Sequence, residues 1–261
     1  MKLKLLHGKF RILTNVLFAT VACGLIKYGL HRLGWEPFTI PISPYFTTIL
    51  TGTIFLLGFI LAGVMTDYKK SEAIPGKMVS SLYTIWQESE ILIRVSGSPT
   101  AKNLQKKICY FIDTFKTEFL LKRQEETTIE ALYSFSEDFA VMDKEVSPAF
   151  MGRLRNEQTA LKEQLITIKF IRDTSFLEAG YVIIKAILLG FSLMLILDKY
   201  EDFDSGVFFM CSCIFILWSI FTIIRDMDDP FDYEQGKLKP DEVDFGVLYA
   251  FREKIHTRME K

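Results

Sequence analysis

Three histidines and four cysteines are the side chains best suited to hold a metal or to attack a carbonyl, and their placement argues against both. His7, His31 and His256 stand alone, with no Cys, Asp or Glu set within helical reach to complete a zinc site. Cys23, Cys211 and Cys213 sit inside apolar runs and Cys109 lies in a polar helical pattern, so no disulfide framework is expected. Cys211 and Cys213 are two apart, which on a helix turns them to nearly opposite faces; they read as small apolar fillers rather than a CxxC pair. Adjacent acids such as Glu125 with Glu126, or Glu137 with Asp138, read as solvated helix faces. There is no strand-linked Gly-rich phosphate loop and no nucleophile elbow. The chain is therefore not expected to be an enzyme, and no catalytic residue, metal site or cofactor is assigned.

A different pattern carries more chemical content. Thr51, Phe55 and Phe59 are spaced four apart and share one face of a helix, while Gly52, Gly58, Ala62 and Gly63 offer small surfaces for close helix approach. Copies of such a helix around a symmetry axis would present rings of phenyl groups to a pore. Narrow apolar rings exclude water, and the electropositive ring edges stabilise an anion weakly without trapping it. The plainer alternative is that the same rings face lipid or pack against a neighbouring helix.

The elements that would position this face follow from the distribution of apolar residues. The 261 residues are 49% hydrophobic, with 31 Lys plus Arg against 32 Asp plus Glu and 23 Phe concentrated in a few runs. A net charge of −1 removes the positive field that a nucleic-acid binder uses, so no nucleic-acid partner is expected. Four stretches reach spanning length, at about Ile12 to Leu30, Tyr45 to Thr66, Gly180 to Leu197 and Gly206 to Ile224. The fold class is thus an all-α integral membrane protein with four transmembrane helices, its direct partner the lipid bilayer. Lys27 and Lys185 are the charges inside these stretches, each close enough to an end to snorkel. Thr20 to Cys23 is an imperfect lipoprotein-cleavage box, and apolarity continues past it, so the first stretch is expected to remain as a span.

Met1 to Arg11 carries four Lys or Arg and no acid, whereas the link Asp198 to Asp204 is acidic, so the positive-inside rule places the N-terminus in the cytoplasm. Four crossings return the C-terminus to the same side. The expected organisation is an N-terminal segment with spans one and two (1–66), a cytoplasmic helical region (67–178), spans three and four (179–224) and a cytoplasmic tail (225–261). Within the helical region, Leu104, Ile108, Phe111, Phe115 and Phe119 make one apolar stripe. Ser96-Gly97-Ser98-Pro99 and Ser147-Pro148 are breaks with Pro at a first helical position, and Thr127 with Glu130 has capping-box spacing. Helices are expected at about Gly76 to Val95, Pro99 to Arg123, Thr127 to Lys144 and from Pro148 onward. With no breaker before Gly180, the last would run into the third span, on the order of 80 Å from Pro148 to Tyr200.

The run Phe55-Leu56-Leu57-Gly58-Phe59, continuing to Glu72-Ala73-Ile74-Pro75, resembles the neck helix of the bestrophin family, with its Phe-x-x-Gly-Phe pattern followed by Glu and then Pro. The order of spans, inner helices and tail is also similar, and Asp229-Pro230-Phe231 is similar to the family's Asn-Pro-Phe. Asp67-Tyr68-Lys69-Lys70 departs from the Arg-aromatic-aromatic pattern of the better-known members, and the chain is most like the divergent bestrophin-like membrane proteins of unassigned function. The resemblance implies a homo-oligomeric, pentameric channel passing monovalent anions, with Phe55 and Phe59 at the constriction and Thr51 at its outer edge. Identical subunits are then partners, because one copy of four helices cannot enclose an ion path. The alternative is a non-conducting membrane scaffold or signalling protein whose cytoplasmic helices bind a partner. In calcium-gated members the place of Asp226 to Glu234 holds a calcium clasp of oxygen ligands. Here the acidic run is split before Asp241, Glu242 and Asp244, so a solvated linker, or a contact to Arg153 or Arg155, is the expected role.

Overall fold

The computed structural model describes residues 2–35, 44–121, 127–173, 178–228, 230–231 and 242–260. Among them the chain is helical throughout: α1 (Lys2–Arg32), α2 (Pro44–Ser96), α3 (Pro99–Leu121), α4 (Thr127–Met142), α5 (Pro148–Asp173), α6 (Glu178–Leu197), α7 (Phe203–Asp228) and α8 (Gly246–Met259). Helices α1, α2, α6 and α7 are long and apolar enough to cross a membrane. The continuity expected between α5 and the third span falls on 174–177, outside the described residues.

The helix boundaries have local causes. Gly97 adopts φ +66°, and its N–H donates to the Ile93 carbonyl at 2.9 Å, the left-handed stop that ends α2. Ser98 then accepts from the Ala101 N–H at 3.4 Å, with Pro99 at the first position of α3; Ser147 and Pro148 open α5 the same way, Phe150 N–H to Ser147 Oγ at 3.3 Å. At α4 the carboxylate that meets the free N–H groups comes from a neighbouring helix: Glu118 of α3 accepts from the Thr128 N–H at 2.8 Å and the Thr127 hydroxyl at 3.1 Å. One expectation about helix bounds needs correction. The inner helix does not restart near Gly76, because α2 runs on through Pro75. The lost hydrogen bond costs stability, yet Ile74 and Met78 on either side are buried in a common core that holds the helix together. The tail also contains α8, which its weak periodicity did not disclose.

The described residues divide into two compact units. The first holds α1, α2 as far as Tyr68, α6 and α7. Ile184, Leu188, Phe191 and Leu195 of α6 pack with Met210, Ile214, Leu217, Phe221 and Ile224 of α7, and Leu57 and Val64 of α2 join them. Several hydroxyls in this unit are satisfied within the chain, as an apolar solvent favours. Thr20 donates to Val16 O at 2.9 Å, Thr53 to Ile49 O at 2.9 Å and Ser192 to Leu188 O at 2.7 Å, while Trp218 Nε1 of α7 donates across to Ser192 Oγ at 3.1 Å.

Lys27 differs from its expected role. It does not snorkel into water but is 0% exposed, donating to the Asp198 carbonyl with its ammonium 4.8 Å from the centre of the Tyr200 ring. The Tyr200 hydroxyl donates to Leu195 O at 2.7 Å, and a Cβ on Gly206 would lie 2.2 Å from Tyr200 Cγ, so the ring is seated against bare backbone. His31 stacks on Phe203 at 4.0 Å at the same end of α1.

The second unit holds α2 from Lys69 onward, α3, α4, α5 and α8. The expected stripe of Leu104, Ile108, Phe111, Phe115 and Phe119 is buried in its core. Phe111 meets Phe135 edge-on at 6.0 Å, and Phe115 and Phe119 each lie 5.0 Å from Phe245, with Phe231 5.8 Å from Phe119. Glu137 is solvated as expected, but its neighbour Asp138 is buried, accepting from Asn103 at 2.9 Å and paired with Lys107 at 3.2 Å. Arg252 of α8 grips Asp113 of α3 with two nitrogens, Nε at 3.0 Å and Nη2 at 2.8 Å. Among the described residues, Arg153 pairs with Glu88 of α2 at 3.1 Å and Arg155 with Asp143, just past α4, at 3.7 Å.

Candidate pore-lining face

The transmembrane stretch of α2 has two unlike sides. With 3.6 residues per turn, Thr53, Leu57 and Val64 stack on one side and are buried, Leu57 and Val64 in a core shared with α6 and α7. Thr51, Phe55 and Phe59 fall on the opposite side and are exposed, Phe55 at 75% and Phe59 at 73%. A face of this kind exists because hydrophobic residues occupy α2 all round while the chain supplies packing partners on one side only.

The small residues share this availability. A Cβ on Gly52, Gly58 or Gly63 would meet nothing within 4 Å, so the close-approach surfaces read from the sequence are not occupied by other helices of the same chain. In contrast, Gly24 of α1 is packed, with Cys211 Sγ 3.3 Å from where its Cβ would stand. Thr66 lies on the exposed side but spends its hydroxyl hydrogen on Ala62 O at 2.8 Å. Thr51, among the described residues, makes no such bond.

Between Thr47 and Thr66 the helix carries no ionisable side chain. The chemistry of this face is therefore that of phenyl rings, aliphatic groups and one available hydroxyl: it can exclude water and graze an ion, but it cannot transfer a proton. All four cysteines are free thiols, and among the described residues no group of three or more His, Cys, Asp or Glu side chains converges. Of the acidic tail start, Asp229 and 232–241 lie outside the described residues, while Phe231 is buried beside Phe119 and Phe245. That anchoring role of Phe231 was not visible in the sequence, since it depends on rings from α3 and from the segment before α8.

No protein-family model matches the chain, and no curated protein sequence matches it either. Solved structures do. A structure of a bacterial bestrophin homolog from Klebsiella pneumoniae is similar with a TM-score of 0.78 at 12% identity, covering 96% of this chain and 99% of that one. Another, carrying a different mutation, has a TM-score of 0.73 at 13% identity over 95% and 96% of the two chains. A third has 0.71 at 14% identity over 97% and 98%. The fold is bestrophin-like: all-α, with four transmembrane helices and long helical extensions, over nearly the whole chain.

Proposed function

We propose that the chain is one subunit of a homo-oligomeric, pentameric channel that passes monovalent anions through a neck formed by α2. Phe55 and Phe59 make the constriction, Thr51 stands at its outer edge, and both termini lie in the cytoplasm. The observation that carries this reading is the exposure of Phe55 and Phe59 on the side of α2 away from its packing partners, in a chain whose fold is similar to solved bestrophin homologs. Lipid could cover such a face; the aromatic pair, the ungrouped glycines and the fold likeness together favour a second copy of α2 there.

The mechanism follows from the groups present. Several phenyl rings around one axis leave a short apolar passage that dewets when narrow and wets when the helices part. A weakly hydrated anion passing the ring edges meets partial positive charge and no fixed countercharge, so it is stabilised little and released quickly. The neck thereby favours throughput over strong selection.

The test is reconstitution of the purified protein into planar bilayers under a chloride gradient, with mass in detergent measured by light scattering. A reversal potential that follows chloride and a mass of about five chains support the reading. A reversal potential following the cation redirects it to a cation path. A monomeric or dimeric mass with no current favours the scaffold alternative.

A further inference from the structure

Past Tyr68, within the second unit, α2 carries an exposed face of a different chemistry. Steps of about 100° per residue bring Lys69, Lys77 and Ser80 within about 40° of the Ala73 direction, and all four are exposed. The opposite side, Ile74, Met78 and Leu82, is buried in the core of the second unit. Between Thr66 and Gln87 the carboxylates of α2 are Asp67 and Glu72, each about 100° or more away round the helix. Among the described residues neither Lys69 nor Lys77 forms an ion pair. Small side chains, Ala73 and Ser80, alternate with the two lysines.

We infer that Lys69 and Lys77 form the anion-concentrating stretch of the path on the cytoplasmic side of the neck, and that they set its preference for anions over cations. This rests on the pore reading above and assigns to it residues that the neck alone does not supply. Phenyl rings discriminate weakly between ion signs; ammonium groups repeated around an axis do so strongly, because each adds to the same potential within a Debye length of about 10 Å at 0.1 M salt. The commoner role of lysines beside a span is to hold anionic headgroups. Lys69 could serve that role, but Lys77 follows Thr66 by about 16 Å along the helix axis at 1.5 Å per residue. The headgroup layer beyond the hydrocarbon is only about 5 to 8 Å deep on each side.

The experiment uses the full chain in planar bilayers with a potassium chloride gradient, comparing the parent with Lys69→Glu, Lys77→Glu and Lys106→Glu. Lys106 is exposed on α3 and makes the same change in net charge away from this face. Expected is a fall of about tenfold in the chloride-to-potassium permeability ratio for either α2 variant, the factor that about 1.4 kcal/mol represents, with Lys106→Glu unchanged. Parental selectivity in both α2 variants, or an equal shift in Lys106→Glu, overturns the inference. If the glutamate variants fail to assemble, Lys69→Gln and Lys77→Gln are read for a smaller shift in the same direction. The parent alone provides a further measurement: its anion preference weakens toward 1 M salt, where the Debye length is about 3 Å, and a salt-independent preference counts against the lysines. A conducting parent that responds to changes at Phe55 but not to the lysine variants refutes this assignment alone; a parent with no current refutes the pore reading beneath it.

Discussion

Replacing Phe55 by Ala separates a side chain that shapes a path from one that holds the fold. A Phe side chain offers about 150 to 250 Å² of surface, and Phe55 leaves 75% of its own uncovered in the subunit. Roughly 50 Å² is then lost from packing, about 1.3 kcal/mol at about 25 cal/mol per Å². That is an upper bound for a lipid-facing position, because lipid tails are as apolar as the ring. Leu57 is 0% exposed two residues on, and its truncation leaves a cavity. Since the transfer part of the usual cost falls away in lipid, about 2 kcal/mol remains, the low end of the range for core leucines. Thermal unfolding in detergent should thus place Phe55→Ala close to the parent and Leu57→Ala clearly below it. Single-channel recording should order them the other way, with conductance or open probability changed in Phe55→Ala and least affected in Leu57→Ala. Parental currents in Phe55→Ala, or an unfolding midpoint as low as that of Leu57→Ala, would refute the assignment of Phe55 to an open face.

Three further outcomes follow from the packing. Lys27→Ala removes a buried ammonium from the Asp198 carbonyl and the Tyr200 ring; leaving a buried acceptor without its donor costs about 1 to 3 kcal/mol, seen as a lowered unfolding midpoint, and a midpoint equal to the parent's would show that the amine is not held. Gly206→Ala drives a methyl to 2.2 Å from Tyr200 Cγ; overpacking of this kind costs about 1 to 3 kcal/mol, and pairing it with Tyr200→Ser should recover most of the loss. Burial, aided by Asp244, pushes the Tyr249 hydroxyl from its ordinary 10 up to about 12. The folded chain therefore favours the neutral phenol: its contribution to stability is full below pH 10 and is lost as pH rises from there to about 12. Ultraviolet difference titration against Tyr249→Phe checks this, and a phenolate signal near 10 would contradict it.

The parts of this fold set by local chemistry were readable. Gly97 and Pro99 stop and start helices through backbone geometry that belongs to those residues alone, and the stripe from Leu104 to Phe119 is written in its own period. What depended on another element was not. Glu118 capping α4, Asp138 buried by Asn103 and Lys107, and Lys27 enclosed by the α6–α7 link are encounters between residues far apart in the chain. Pro75 marked a restart because a proline breaks an isolated helix, whereas the core around Ile74 and Met78 carries α2 through it. The sequence periodicity put Thr51, Phe55 and Phe59 on one side, but only the positions of α6 and α7 reveal that this is the side left open. α8 escaped notice because its buried residues Leu248, Phe251 and Ile255 are few, and Arg252, Glu253, Lys254 and Arg258 interrupt its apolar period.

Two threonines on the open side of α2, Thr51 and Thr66, are chemically unequal. With its hydrogen committed to Ala62 O, Thr66 turns only lone pairs outward, a surface that repels chloride and differs little from that of a valine of the same shape. Thr51 keeps a rotatable O–H that can point at whatever arrives from outside. On the proposed path a halide would accordingly meet a hydroxyl donor before the aromatic rings and no hydroxyl donor at Thr66 after them, an asymmetry that lets entry and exit be tuned by single isosteric exchanges.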